Sequence, residues 1–235
     1  MTDEAPPPPR KKRRPILTAL LILALLPIGG VVVHTLAPPP LTLLMVREFI
    51  AGNGLDYRWR SLDQISPNLV ASAIAAEDAR FCSHGGFDME AIEKALQNNE
   101  RGRKVRGGST ISQQTAKNVF LWPSRDWIRK GFEAGYTLMI ETVWSKRRIM
   151  EVYLNVAEMG PGVYGAEAAA RHWFGKSAAD LTPREAARIA AILPSPRRYD
   201  AAEPGPYVRR RASRVQASAR VVRNEGLAAC VLGNR

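Results

Sequence analysis

The chain has 235 residues, 46% of them hydrophobic, and carries a formal net charge of +12 from 34 basic and 22 acidic residues. That much apolar material excludes a disordered polymer and suits one good-sized domain or two small ones, while the charge calls for an anionic partner: nucleic acid, anionic lipid or a phosphorylated substrate. Two cysteines, Cys82 and Cys230, without C-x-x-C spacing argue against a structural zinc site.

Residues 1–15 form a polar, proline-rich tail ending in Arg10-Lys11-Lys12-Arg13-Arg14, a composition that does not fold. Ile16 to Leu36 follows with 21 residues free of Asp, Glu, Lys and Arg, long enough for a helix to cross a bilayer despite Pro27 and Gly29-Gly30. The basic run before it orients the tail toward the cytoplasm and residues 37–235 outside, as an uncleaved anchor rather than a signal peptide. Pro38-Pro39-Pro40 stiffens a juxtamembrane connector over 37–60, in which Leu41 to Ile50 reads as a short amphipathic element. The remaining 61–235 is expected to form the soluble domain.

Ser66 and Pro67 mark a helix start, and the stripe Leu69/Val70, Ala73/Ile74 continues onto Glu77. Asp88 can cap a helix with Met89, Ile92 and Leu96 on its buried side. Asn98 to Gly108 is a basic, glycine-punctuated loop. Ser109 and Thr110 offer the next helix start, running to Phe120, and further helices are expected over Trp127 to Trp144, Arg147 to Asn155, Ala166 to Phe174, Thr182 to Leu193 and Tyr207 to Ala229. Gly160-Pro161-Gly162 interrupts the pattern, and no strand signal is of comparable strength. The exterior portion reads as mainly helical. It is no small stapled scaffold, and the balance is against Cys82 pairing with Cys230, though the sequence leaves this open.

Three places could carry chemistry. Arg106 to Asn118 has two glycines leading into a helix start, whose unpaired amides and positive dipole end favour an anion; Lys117 lies further along, and the spacing is not that of a nucleotide phosphate loop. Glu77, apolar-flanked near a helix C-terminus, should have a raised pKa suited to a general base or acid, or it simply pairs with Arg80. Glu133 follows Arg129 by four positions and Lys130 by three, which a solvated surface ion pair would explain. The aromatic and basic residues from Phe120 to Phe132 suit a membrane interface or a single-stranded nucleic acid, beside ordinary packing; exterior placement disfavours the nucleic acid. His84 is a lone histidine without a nucleophile motif.

Glu77-Asp78-Ala79-Arg80-Phe81-Cys82-Ser83-His84-Gly85-Gly86-Phe87-Asp88 resembles the E-D-x-x-F-x-x-H-x-G-x-D motif of peptidoglycan glycosyltransferases. Gly107 to Asn118 is similar to that family's G-G-S-T-[IL]-[ST]-Q-Q-x-x-K-N, Arg129 to Glu133 to R-K-x-x-E, and Lys146 to Asn155 to its fourth motif. Gly162 to Lys176 and Ala186 to Pro196 resemble its closing region. Ala79 stands where many relatives have Arg or Gln. No S-x-x-K followed by S-x-N and K-T-G occurs, so no transpeptidase activity is expected.

The resemblance implies a two-lobed, lysozyme-like, mainly α domain behind one transmembrane helix at the bacterial inner membrane. It implies polymerisation of lipid II, with the glycan on undecaprenyl diphosphate as donor and inversion to a β-1,4 link. Glu77 and Glu133 would be catalytic, with Glu77 the base. Lys117, Arg125, Arg129 and Lys130 would hold the diphosphate, and Ser109, Gln113 and Gln114 would contact sugar and phosphate oxygens. No cofactor is required by this scheme, though a divalent cation (Mg or Mn) at Glu133 is open. Expected partners are lipid II, the nascent glycan and the membrane, with cell-wall or division proteins also open and no nucleic acid. A lytic glycosidase and an idle, membrane-tethered binder of anionic polymers are the rival readings.

Overall fold

A computed structural model of the chain describes residues 14–93, 108–124 and 126–233. The N-terminal tail, Leu96, the whole of the basic loop ahead of Gly108, and Arg125 lie outside the described residues. The helices are α1 (Arg14–Val33), α2 (Leu43–Ile50), α3 (Pro67–Glu77), α4 (Ile111–Phe120), α5 (Trp127–Val143), α6 (Lys146–Val156), α7 (Ala166–Phe174), α8 (Pro183–Ile192), α9 (Pro206–Asn224) and α10 (Ala229–Leu232). The fold is mainly helical, as expected.

Local chemistry sets the helix boundaries. Ser66, Thr110, Asp126, Ser145 and Thr182 each cap a helix by accepting a hydrogen bond from a backbone amide two or three residues on. Thr110 and Gln113 form a reciprocal capping box at α4, and Thr182 and Glu185 another at α8. Asp88 caps the helical residues 89–93 by accepting from the Ala91 amide at 2.9 Å. Gly175, in the left-handed region at φ 67°, closes α7.

Two expectations are corrected here. The single helix expected over Tyr207 to Ala229 is two, because α9 ends at Asn224 and Gly226 turns the chain at φ 67° before α10. A small sheet also exists, with strands β1 (Asp56–Tyr57), β2 (Glu158–Gly160) and β3 (Val163–Tyr164) in the order β1-β3-β2. Strands of two or three residues are too short to display alternation, and in Gly160-Pro161-Gly162 the first glycine ends β2 while Pro161-Gly162 makes the turn into β3. Gly165 follows at φ 84°, and a Cβ there would overlap the Asn155 carbonyl oxygen. The Asn155 side chain in turn binds both the amide and the carbonyl of Arg60, each at 2.8 Å. The short sheet is thereby clamped onto α6.

α6 is the buried axis: Ile149, Met150, Val152, Tyr153, Leu154 and Val156 are all fully enclosed. Helices α3, α8 and α9 pack mutually beside it. Alanines at 71, 73, 187, 190, 191, 212 and 219 line their buried faces and permit close approach. This alanine-rich packing fixes the end of α3, where Glu77 sits.

α1 lies against the other side. The Trp144 indole N–H donates to the Val31 carbonyl at 2.8 Å, and the Arg148 guanidinium donates to the carbonyls of His34 and Ala37 at 3.1 and 2.8 Å. The bilayer span expected over Ile16 to Leu36 falls largely on α1, where the side chains of residues 14–17 and 20–24 lie outside the description. Among the described residues no helix is long and apolar enough to cross a membrane.

Cys82 and Cys230 form a disulfide, with Cα atoms 5.6 Å apart, against the balance of the sequence reading. The pairing escaped notice because 148 residues separate the two and only the folding of α10 back onto α6 brings them together. It ties the loop after α3 to the C-terminal helix. Closing so long a loop restricts the unfolded chain, so reduction should lower unfolding stability by about 2–5 kcal/mol. Denaturant titration with and without a thiol reductant measures this, and an unchanged midpoint would contradict it.

Candidate active site

The site grows from the junction between α3 and α4. Asp78, buried at the C-cap of α3, accepts from the Ile111 amide at the start of α4 at 3.0 Å and from His84 Nε2–H at 2.9 Å. His84 Nδ1 accepts from the Gly86 amide at 3.1 Å, which fixes the tautomer with the proton on Nε2. The Thr110 hydroxyl donates to the Gly86 carbonyl at 2.6 Å. One carboxylate thus serves an otherwise unpaired helix-start amide and a histidine together. Lys146 completes the brace, donating to the His84 carbonyl at 2.6 Å and lying 4.5 Å from the centre of the Phe81 ring.

This brace presents Glu77 to Gln114. Gln114 Nε2 donates to Glu77 Oε2 at 3.1 Å, and Arg211 of α9 approaches Glu77 Oε1 at 3.4 Å. Arg80, the sequence's alternative partner, instead pairs with Asp88 and Glu90. Glu77 lies in a cleft of about 300 Å³ that Ala75, Asp88, Gly108 and Ser109 also line. Burial pushes its pKa above the usual carboxylate value, against the opposing pull of the Gln114 hydrogen bond and of the cations Arg211 and Lys117.

Lys117 lies one turn beyond Gln114 on α4, in a neighbouring cleft of about 250 Å³ shared with Arg47, Asn118 and Trp122. Burial lowers its pKa, while Glu133 and Glu77 work in the opposite direction. Lys117 therefore stands within electrostatic reach of both candidate carboxylates. Glu133 is not the solvated surface pair its spacing suggested. Its side chain is 3% exposed, Arg129 donates to one oxygen at 2.6 Å, and Lys130 binds the other. Arg129 Nε is enclosed with no partner among the described residues.

Several expected site residues therefore converge. Glu77 and Ser109 share one cleft, Gln114 is hydrogen-bonded to Glu77, and Lys117 links Glu77 electrostatically to Arg129, Lys130 and Glu133. Gln113 differs: its carboxamide oxygen accepts from the Thr110 amide at 3.0 Å, so it is committed to the cap of α4. Arg125 lies outside the described residues. As to a metal at Glu133, both its oxygens are occupied by cationic side chains, and among the described residues no group of three or more His, Cys, Asp or Glu could hold an ion. This donor set does not fit a metal.

Comparison with known proteins follows the same lines. A family model described as Transglycosylase matches residues 45–220. The chain belongs to the transglycosylase family. It is 58% identical over 205 residues to a biosynthetic peptidoglycan transglycosylase of Caulobacter vibrioides, covering 87% of this chain and 90% of that one. Proteins of the same description from Rhodospirillum centenum and Xanthomonas campestris pv. campestris are 54% and 55% identical, over 86% and 83% of this chain and 87% and 82% of theirs.

Sequence reasoning about this transglycosylase-family chain missed Arg211. It lies 134 residues from Glu77, and its local signal is one arginine in the run Arg209-Arg210-Arg211. Its neighbours Arg209 and Arg210 are exposed, whereas Arg211 turns inward and also donates to the Ala191 carbonyl at 3.2 Å. A cation beside Glu77 favours the charged carboxylate, so Arg211→Met should raise the proton affinity of Glu77 further. If Glu77 must be ionised to act, the acid limb of the pH–rate profile, already above the ordinary glutamate range, moves to higher pH in the variant. An unmoved limb would separate Arg211 from the proton chemistry.

Proposed function

We propose that the chain polymerises lipid II into β-1,4-linked glycan with inversion, releasing undecaprenyl diphosphate. The observation that carries this reading is Glu77: a carboxylate of raised proton affinity in a cleft, with Lys117 between it and a second charged cluster. In this scheme Glu77 takes the proton from the acceptor GlcNAc 4-hydroxyl as that oxygen attacks the anomeric carbon of the donor MurNAc. The bond from the anomeric carbon to the diphosphate breaks on the opposite face. The proton remains on Glu77 until solvent removes it.

The leaving group needs its charge held more than it needs a proton, and Lys117, Arg129 and Lys130 are the cations assigned to that task. Arg125 joins them by its place in the family pattern. Ser109 and Gln114 are assigned to sugar contacts, and Gln113 serves the site through the cap of α4. Glu133 holds Arg129 and Lys130 in position. We read the two sides of the cleft as the two lobes of a lysozyme-like domain. The reading favours synthesis over lysis because a glycosidase with a single acidic glutamate would have no use for a cation cluster. The uncharged stretch from Ile16 to Leu36 behind five basic residues supports a single-pass anchor that brings the domain to a substrate confined to the bilayer.

Purified full-length protein supplied with lipid II alone should make long glycan strands. Digestion of preformed peptidoglycan without synthesis would overturn the reading. Glu77→Gln is expected to lower turnover by about 10²-fold or more while lipid II binding persists. Lys117→Ala should lower turnover by roughly 10²-fold, with a smaller effect on acceptor binding.

A further inference from the structure

We propose that Tyr199 and Tyr207, with the exposed arginines beside them, form a subsite for the glycan already built on the donor, one repeat beyond the reacting sugar. This rests on the polymerase reading above and adds a second contact for the polymer that reading produces. Such a glycan is a run of pyranose rings with carboxylate-bearing peptide stems. A surface that matches it needs apolar ring faces for the sugars and cations for the stems.

The start of α9 supplies both. Tyr207, Arg211 and Arg214 stand at i, i+4 and i+7, on one stripe of the helix. Arg211 is the member that turns in to Glu77, so the stripe runs past the proposed base. Tyr207 is 37% exposed and lies one turn, about 5.4 Å, from Arg211 along the helix. Its ring centre is 5.3 Å from that of Tyr199, with the two planes 30° apart, and the Arg198 guanidinium lies 5.9 Å from the centre of the Tyr199 ring. A tyrosine ring has an apolar face and a polar rim, which suits a sugar that is apolar on its C–H face and polar at its edge. Arg198, Arg210 and Arg214 are exposed, and from Arg198 to Arg214 there are five arginines to two acids, Asp200 and Glu203. The balance favours an anionic partner.

The platform has a fixed base. Tyr199 packs on the buried cluster of Ala191, Ile192, Ala201 and Val208, and its amide donates to the Ser195 carbonyl at 3.2 Å. Arg188 donates to the Ala202 carbonyl at 3.3 Å and Arg209 to the Pro204 carbonyl at 2.8 Å, which pins the segment between the two tyrosines. Little ordering is left to oppose binding.

The occupant follows from the side of Glu77 on which the tyrosines lie. Gln114 approaches one oxygen of Glu77 from α4, with Lys117 one turn further on, and Arg211 approaches the other oxygen from α9. The donor's diphosphate is assigned to Lys117, so the sugars on the α9 side are those remote from it. An acceptor brings its own diphosphate and tail, which belong at the bilayer. The proposed anchor helix α1 packs on α5, whereas α9 packs on α3 and α8. Glycan without a tail is the part of the substrate suited to α9.

The test compares two labelled donors, one disaccharide repeat or two on undecaprenyl diphosphate, each with its terminal 4-hydroxyl blocked so that it acts only as donor. Lipid II is the acceptor and the protein is full-length, in detergent. Tyr207→Ala and Arg214→Gln should each lower kcat/KM roughly tenfold for the two-repeat donor and leave the one-repeat donor within about twofold. Equal losses with both donors, or no loss, overturn the subsite. Amidation of the stem carboxylates should remove the Arg214→Gln effect and spare that of Tyr207→Ala; an Arg214→Gln loss that persists overturns the charge match. Failure of the unsubstituted protein to couple either donor overturns the polymerase reading instead. Calorimetric binding of a soluble GlcNAc-MurNAc tetrasaccharide with its stem peptides then judges the platform, and should weaken roughly tenfold in Tyr207→Ala. Equal binding, or none to the unsubstituted protein, overturns the platform.

Discussion

The buried carboxylate of Asp78 is the interaction on which the site depends. It ends α3, accepts the first amide of α4 and takes the proton-bearing nitrogen of His84, so three segments meet at one side chain. Its position is expensive to hold, since a buried carboxylate is tolerated only when its oxygens are paired. Here the pairing partners are the parts of the chain that must be aligned. Glu77 leaves α3 one residue earlier and Gln114 enters from α4 one turn later, so their contact follows from the joint. The disulfide reinforces it from outside by anchoring Cys82, within the loop between Phe81 and His84, to α10.

Glu77 itself is a balance of opposing effects. Burial favours the neutral acid, and Gln114, Arg211 and Lys117 favour the carboxylate. A base that is too well stabilised as an anion would not take a proton, and one that is buried without support would already carry it. Drawing its supports from α4 and α9 rather than from its own helix makes this balance sensitive to how the helices pack. The alanine-lined contacts of α3, α8 and α9 thus bear on proton affinity as well as on stability.

The sequence made the helices legible because caps and breakers act within a few residues. Ser66-Pro67, Thr182-Pro183 and Gly175 each mark a boundary through local hydrogen bonding or backbone conformation. The family motifs made most of the site legible, since Glu77, Gln114 and Lys117 lie within recognisable strings. What stayed hidden depends on distance along the chain. Arg211 is one arginine among several on a basic helix, the disulfide joins opposite ends of the domain, and the sheet is built from pairs too short to show a period. Burial of Glu133 was hidden for a related reason: an i, i+4 pair reads the same whether solvent or α4 covers it, and only packing separates the two.

Charge accounting on α4 and α5 gives the site a direction. Lys117, Arg129 and Lys130 supply three positive charges, and Glu133 returns one negative, leaving an excess of two among these four groups. Under the proposed function the donor's diphosphate, esterified at both ends, carries one ionised oxygen on each phosphorus, and so matches that excess. When the anomeric bond breaks, the released end gains further negative charge next to the same cations. The cluster therefore interacts more strongly with the departing group than with the bound donor, which is the condition for lowering a barrier rather than merely tightening binding. Glu133 contributes by keeping the excess near two: without it, Arg129 and Lys130 would repel one another and Lys117, and Lys117, whose burial already works against its charge, would lose a neighbour that helps keep it charged.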